Sequence, residues 1–202
     1  GWIAQDPAAS AVVDYVGPGL EGPFVDLCAA PGGKAIGLWF ASDARPLIAA
    51  DVSPERLRRV GELAAATGAR PSLVAMDGRR PAVREARSVL LDAPCSGTGV
   101  LRRRPDARWR LSAARLEALV GLQRELLGAA AELVTEGGLL VYATCSLEPE
   151  ENEGQVERFL ADRPDFERDA TGPLEGKDLH VLPWDGDSDG AYASRLRKRR
   201  TG

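Results

Sequence analysis

Histidine and cysteine are scarce in this chain, with one of the former and three of the latter among 202 residues. No C-x-x-C pair occurs, so a structural zinc site has no ligand set to draw on. An odd cysteine count also argues against a disulfide framework, and the thiols are expected to be reduced. No apolar run approaches the ~20 residues that cross a bilayer, and no charged, apolar and small-residue leader opens the sequence. These absences point to a cytoplasmic protein with neither metal nor membrane partner. Internal repeats and low-complexity tracts are missing too. So are the dinucleotide fingerprint G-x-G-x-x-G and the phosphate-binding P-loop, which needs glycine where Cys28 stands and Ser or Thr where Ala35 stands.

What is present fits one core. At 44% apolar and 28% charged, the chain is expected to form a single domain over residues 1–202 and to act as a monomer. A start at Gly1 rather than methionine reads as a piece excised from something longer. The net charge of −4 does not advertise nucleic acid. Charge placement says more: Arg102, Arg103 and Arg104 with Arg108 and Arg110 form one basic cluster, and Arg195, Arg197, Lys198, Arg199 and Arg200 another. Arginine forks suit phosphate oxygens, although solvated faces would look the same.

In chain order, Gly1 to Gly22 reads as a lead-in holding a short helix from Ala8 to Val16. Phe24 to Cys28 reads as a buried strand running into the glycine turn Ala29-Ala30-Pro31-Gly32-Gly33-Lys34, and Ala35 to Phe40 as the helix that follows. This arrangement aims backbone N–H groups at a polar or anionic ligand. Leu47 to Asp51 is the next strand, ending in an acid where a βαβ unit holds ribose hydroxyls, unless Asp51 only caps the helix that starts at Ser53. Ser72 to Met76 ends at Asp77, which either reads an adenine amino group or is a turn aspartate. Ser88 to Leu91 leads to Asp92 and Cys95. A long helix spans Leu111 to Val134 and is stopped by Gly137-Gly138. Leu139 to Ala143 leads to Cys145, and a helix opening at Glu148-Pro149 runs through Leu160. Shorter strand candidates, Phe166-Glu167, Leu179 to Leu182 and Ala191 to Leu196, complete the far edge. The alternating order predicts a three-layer α/β sandwich with a mostly parallel sheet.

In such a sheet chemistry sits beyond the carboxyl ends of the strands, so Cys95 and Cys145 should face one crevice. A nucleoside pocket with two thiols and an acid suits methylation of cytosine carbon 5. A thiolate adds to carbon 6, an acid such as Asp92 assists at ring nitrogen 3, and a second thiolate removes the carbon 5 proton so that the first can leave. Cys145 is expected to gain from the positive end of the helix near Pro149.

The stretches Asp26 to Lys34, Asp51-Val52-Ser53 with Arg56, Asp77-Gly78, Asp92-Ala93-Pro94-Cys95-Ser96-Gly97-Thr98-Gly99, and Ala143-Thr144-Cys145-Ser146 with Pro149 to Glu153 resemble the motif series of the Sun family of RNA 5-methylcytosine methyltransferases. Arg102 to Asp106 and Trp109 bring it nearest to the bacterial members acting on small-subunit ribosomal RNA. The resemblance implies a Rossmann-like class I S-adenosylmethionine-dependent fold with an antiparallel edge strand. It implies that Cys28, Ala29, Ala30, Pro31, Gly32, Gly33 and Lys34 cradle the methionine part of S-adenosylmethionine, with Asp51 at the ribose, Asp77 at the adenine, Arg56 also among the donor-binding residues, and Asp92 between donor and base. Cys145 matches the nucleophile and Cys95 the cysteine that assists release, while Cys28 reads as packed. Arg102, Arg103 and Arg104 would contact RNA, ribosomal RNA first and transfer RNA second. Two features depart from the pattern. Asp189-Gly190 is followed by Ala191-Tyr192 instead of paired phenylalanines, and the sequence begins where the catalytic domain of bacterial relatives begins, after their amino-terminal RNA-binding region, so the chain taken alone should bind the methyl donor but hold RNA weakly. A nicotinamide-dependent oxidoreductase or an idle RNA-binding scaffold remain the alternatives.

Overall fold

The computed structural model describes residues 4–200; residues 1–3 of the expected lead-in, and 201–202, lie outside them. The first helix, α1 (Pro7–Val16), starts where Asp6 accepts a hydrogen bond from the Ala8 amide at 3.0 Å and Pro7 occupies the first turn. Helix α3 (Pro54–Thr67) and helix α4 (Ala113–Leu133) start the same way, on Ser53 and Ser112, whose hydroxyls accept from Arg56 and Arg115. Each such cap is worth about 1 kcal/mol to its helix. The remaining helices are α2 (Gly33–Ala41) and α5 (Glu153–Asp162).

Eight strands make one sheet in the order β3-β2-β1-β4-β5-β8-β6, with β7 also paired to β8. Strands β1 (Phe24–Asp26), β2 (Leu47–Asp51), β3 (Ser72–Ala75), β4 (Ala86–Asp92) and β5 (Val134–Thr144) run parallel. Strands β6 (Phe166–Arg168), β7 (Leu179–Val181) and β8 (Ala191–Lys198) form the antiparallel edge. Side chains alternate between two cores. Phe24, Ala49, Leu90, Val141 and Ala143 pack under α1, α2 and α3, whereas Val25, Ala50, Leu91, Leu140 and Tyr142 pack under α4 and α5. Because both faces are covered, the central strands are continuously apolar.

Three local expectations need correction. The long helix ends at Leu133, and Gly137-Gly138 belong to β5 rather than to a helix stop: the register slips between Ala86 and Ser88 to admit them. The helix expected from Glu148 is split into a 3₁₀ turn over Pro149–Glu151 and α5, because Asn152 takes a non-helical ψ of −106°. The second basic cluster is largely part of β8, and Arg195 is buried against Asp169 at 2.8 Å. Residues of β8 alternate between the two cores, and Arg195 falls on the face of Ala191 and Ala193, against the end of α1.

Candidate active site

The sheet order reverses between β1 and β4, and beyond the carboxyl ends of the strands there opens a cleft of about 710 Å³. Cys28, Ala30, Pro31, Lys34, Asp51, Arg56, Asp77, Asp92, Cys95 and Cys145 all line it, with Arg103 and Arg104 at its rim. Ala29, Gly32, Gly33 and Arg102 are not in its lining. Asp6 and Ala8 of α1 contribute to the wall, a role the sequence reading of the lead-in did not include.

The glycine turn is fixed from below. Ala29 donates its amide to the Ala50 carbonyl at 2.8 Å, and Ala30 donates to Asp51 Oδ2 at 3.3 Å. Gly32 has φ +113°, and a Cβ there would stand 3.2 Å from the Val60 backbone, so only glycine lets α2 start this close to α3. Asp51 also accepts from the Ser53 amide at 2.9 Å, and Arg56 lies 3.4 Å from it while donating to the Ala30 carbonyl at 2.9 Å. Asp51 thus braces the turn and keeps spare lone pairs for a ligand. Asp77 is engaged by Arg79 Nη2 at 2.8 Å, which holds its carboxyl down at about 2.

The two thiols expected in one crevice lie 3.4 Å apart, Sγ to Sγ, and neither is in a disulfide. The hydrogen bond between them holds Cys95 well above an ordinary thiol, with burial adding to the effect. The same bond lowers Cys145, against burial and with help from Lys34. Of the two, Cys145 is the thiol more readily ionised and Cys95 the one more readily kept as S–H. No α-helix starts beside Cys145, so the expected helix contribution is replaced by a neighbouring thiol and an ammonium. Lys34 Nζ donates to Asp92 Oδ2 at 2.8 Å; burial opposes its charge, but that carboxylate keeps Lys34 above the ordinary lysine value. Cys28 differs from both: burial, then the nearby Asp26 charge, push it up to about 12.

Backbone contacts bring the loops together. The Gly99 amide donates to the Cys145 carbonyl at 3.0 Å, and the Gly190 amide to the Gly99 carbonyl at 2.8 Å. A Cβ on Gly99 would stand 2.8 Å from both the Cys145 and Gly190 carbonyl oxygens, which excludes any side chain there. Ala191 lines the cleft and the fully buried Tyr192 packs under α4 and α5, in the place where the family pattern has paired phenylalanines.

The arginine cluster is not uniformly free. Arg102 pairs with Asp187 and Arg103 with the buried Asp189, whose amide donates to Asp6 at 3.0 Å. Arg104 has no side-chain partner among the described residues and reaches the cleft. Sequence reasoning assigned no work to Glu151 and Asn152, although the Pro-Glu-Glu-Asn run that follows Cys145 marked them. Among the described residues no helix is long and apolar enough to cross a membrane.

Comparison with known proteins agrees with this geometry. The family model for 16S rRNA methyltransferase RsmB/F matches residues 16–197. The ribosomal RNA small subunit methyltransferase B of Sodalis glossinidius is 38% identical over 203 residues, covering 98% of this chain and 47% of that protein. The Klebsiella pneumoniae protein of the same name is 38% identical over 205 residues, covering 99% and 48%. The chain thus spans about half the length of these curated relatives. The crystal structure of NSun6 from Pyrococcus horikoshii with SFG is 29% identical, covers 98% of this chain and 53% of that one, and superposes with a TM-score of 0.82. The architecture is that of the class I S-adenosylmethionine-dependent methyltransferases, and the chain belongs to the 16S rRNA methyltransferase RsmB/F family.

Proposed function

We propose that the chain is a single cytoplasmic catalytic domain that transfers a methyl group from S-adenosylmethionine to carbon 5 of a cytosine in RNA, ribosomal RNA first. The observation that carries this reading is the contact of Cys95 and Cys145 at 3.4 Å on the wall of a strand-end cleft that also holds Asp51 and Asp92.

A cleft of about 710 Å³ with both apolar and charged walls suits a nucleoside carrying an amino-acid tail. In this reading Asp51 takes the ribose with Arg56 beside it, Asp77 and Gly78 take the base, and the turn from Cys28 to Lys34 takes the tail. When bound, the donor supplies an electrophilic methyl group. The chain's own residues do the rest. Cys145 Sγ, the more readily ionised of the pair, forms a bond to cytosine carbon 6 as a thiolate, and the ring's electrons move toward carbon 5. Asp92, steadied by Lys34, shares a proton between the oxygen that Lys34 does not occupy and ring nitrogen 3 as charge builds there, and takes it back when the ring is restored. After transfer, Cys95, having given its thiol proton to solvent, takes the carbon 5 proton, and the carbon 6–sulfur bond breaks to restore the ring and the Cys145 thiolate. No metal is needed by this scheme.

The test is adduct trapping with the full chain, S-adenosylmethionine and a cytosine-containing fragment of 16S ribosomal RNA. Cys95→Ala should accumulate a covalent protein–RNA species that Cys145→Ala does not form. If Cys145→Ala forms the adduct, or neither variant does while the parent methylates, the roles are wrong.

A further inference from the structure

Glu151 is fully buried, and no cation pairs with it among the described residues. Its carboxylate accepts instead from neutral groups: the Ser96 amide at 2.8 Å, Ser96 Oγ at 2.5 Å and Gln123 Nε2 at 2.9 Å. Gln123, on α4, also donates to the Pro94 carbonyl at 3.0 Å. Glu151 therefore grips the residue that follows Cys95, and Gln123 the one that precedes it.

Its neighbour does the same for the other thiol. Asn152 is bonded through Oδ1 to Thr144 Oγ1 at 2.5 Å and donates Nδ2 to the Ser146 carbonyl at 3.0 Å, so it holds both residues flanking Cys145. Ser96 Oγ and Ser146 Oγ, 3.1 Å apart, join the two grips. Two adjacent residues of one short turn thus fix the separation of the two sulfurs.

Fixing a loop does not require a charge. A glutamine at position 151 could still accept through its carbonyl oxygen, and burying a carboxylate without a counter-ion costs several kcal/mol more than burying an amide. A charge kept there acts on what lies beside it, and that is Cys95. We propose that Glu151 is a positioning residue that holds the Cys95 loop in place and keeps Cys95 protonated, as hydrogen-bond donor to Cys145. The assignment rests on the catalytic roles given to the two thiols above. Other charged or titratable groups face the pair as well. Lys34 of α2, Asp92 at the end of β4 and Arg103 face Cys145, and Tyr142 of β5 faces Cys95. Lys34 and Arg103 favour a thiolate at Cys145, and Asp92 opposes it. The Cys145 hydrogen bond and burial act most on Cys95, and Glu151, bonded to the residue that follows it, adds to them by disfavouring a thiolate there.

The experiment is alkylation of the full chain by iodoacetamide without RNA or methyl donor, followed at each cysteine by mass spectrometry across about pH 6 to 10. In the parent, Cys145 should alkylate at lower pH than Cys95. In Glu151→Gln the ratio of Cys145 to Cys95 alkylation near neutral pH should fall roughly tenfold, and Glu151→Asp, which keeps the charge, should recover most of it. Asn152→Ala should slow methyl transfer but leave the order of titration intact, which a purely structural role for Glu151 would mimic in Glu151→Gln. A folded Glu151→Gln with the parent's ratio overturns the proposal. If that variant does not fold, Ser96→Ala decides, since it removes one donor and keeps the charge: a ratio held at or above the parent's supports the proposal, and a ratio that falls, as it would if the Ser96 contact rather than the charge ordered the thiols, overturns it. The thiol ratio is read without turnover. Failure of adduct trapping with an altered ratio would therefore count against the catalytic roles alone, and the reverse against Glu151 alone.

Discussion

Two of the carboxylates in the interior of this protein are satisfied by opposite means. Asp169, at the antiparallel edge, takes Arg195 Nε and Nη2 at 3.0 and 2.8 Å, Arg197 Nε at 3.0 Å and Thr171 Oγ1 at 2.6 Å. Its charge is cancelled where it stands. Glu151 is surrounded by amides and a hydroxyl, and its charge reaches the neighbouring thiol. The first arrangement anchors: Arg195 also donates to the Tyr15 and Val16 carbonyls at 3.1 and 2.8 Å, which ties the end of α1 to β8. The second leaves an electric field where the chemistry is proposed. A buried carboxylate is therefore a fastening or a tuning device according to whether its counter-charge is present.

Breaking the fastening should have the largest effect. Arg195→Met strips one guanidinium from a buried carboxylate and should cost about 3 kcal/mol in urea unfolding, with the thiol alkylation ratio of the folded protein unchanged. Burial alone would raise the Asp169 carboxyl, yet Arg197, Thr171 and Arg195 hold it well below the carboxylate range. The stability it contributes should be complete above about pH 4, the unfolded value, and be lost as pH falls through the folded one.

The strand-end cleft should respond in activity rather than stability. Cys145→Ser should reduce methyl transfer roughly a thousandfold or more while leaving the melting temperature nearly unchanged; a loss under about tenfold would contradict the nucleophile assignment. Asp26 supplies a pH dependence of opposite sign to that of Asp169. Burial, with the Asp92 charge adding to it, pushes Asp26 up to about 8. The folded protein thus holds a proton that the unfolded chain releases near about pH 4, so stability should fall as pH rises from there to about 8. Asp26→Asn should flatten that slope, and a retained slope would assign it to another group.

The smallest effects concern RNA. Arg104→Ala should weaken RNA binding and reduce the slope of log affinity against log salt by about 1. Arg102→Ala and Arg103→Ala should change the slope less, because Asp187 and Asp189 already hold those guanidiniums. Equal slopes for all three would mean that RNA displaces the aspartates.

Much of this was legible before any coordinates. Apolar runs closed by Asp51, Asp92 and Cys145 announce buried parallel strands whose ends carry chemistry, and the cysteines at two such ends announce one crevice. What was not legible depends on contacts between distant segments. Arg195 reads as part of a basic tail until β8 pairs with β5 and turns it inward. Glu151 and Asn152 look like acids and amides of a helix's first turn. Their work emerges only when that turn packs against Ser96, some fifty positions earlier in the chain. Gly137-Gly138 looks like a helix stop because a slipped strand register leaves no local mark.

The central claim is that Cys145 Sγ bonds to the target base. RNA bearing 5-fluorocytidine at the modified position tests it most directly, since fluorine at carbon 5 cannot leave as a proton does and release is blocked. After incubation of the parent protein with this RNA and S-adenosylmethionine, digestion and mass spectrometry should place the nucleotide on the peptide containing Cys145. A nucleotide on the Cys95 peptide, or methylated RNA released with no linked peptide, would contradict the account.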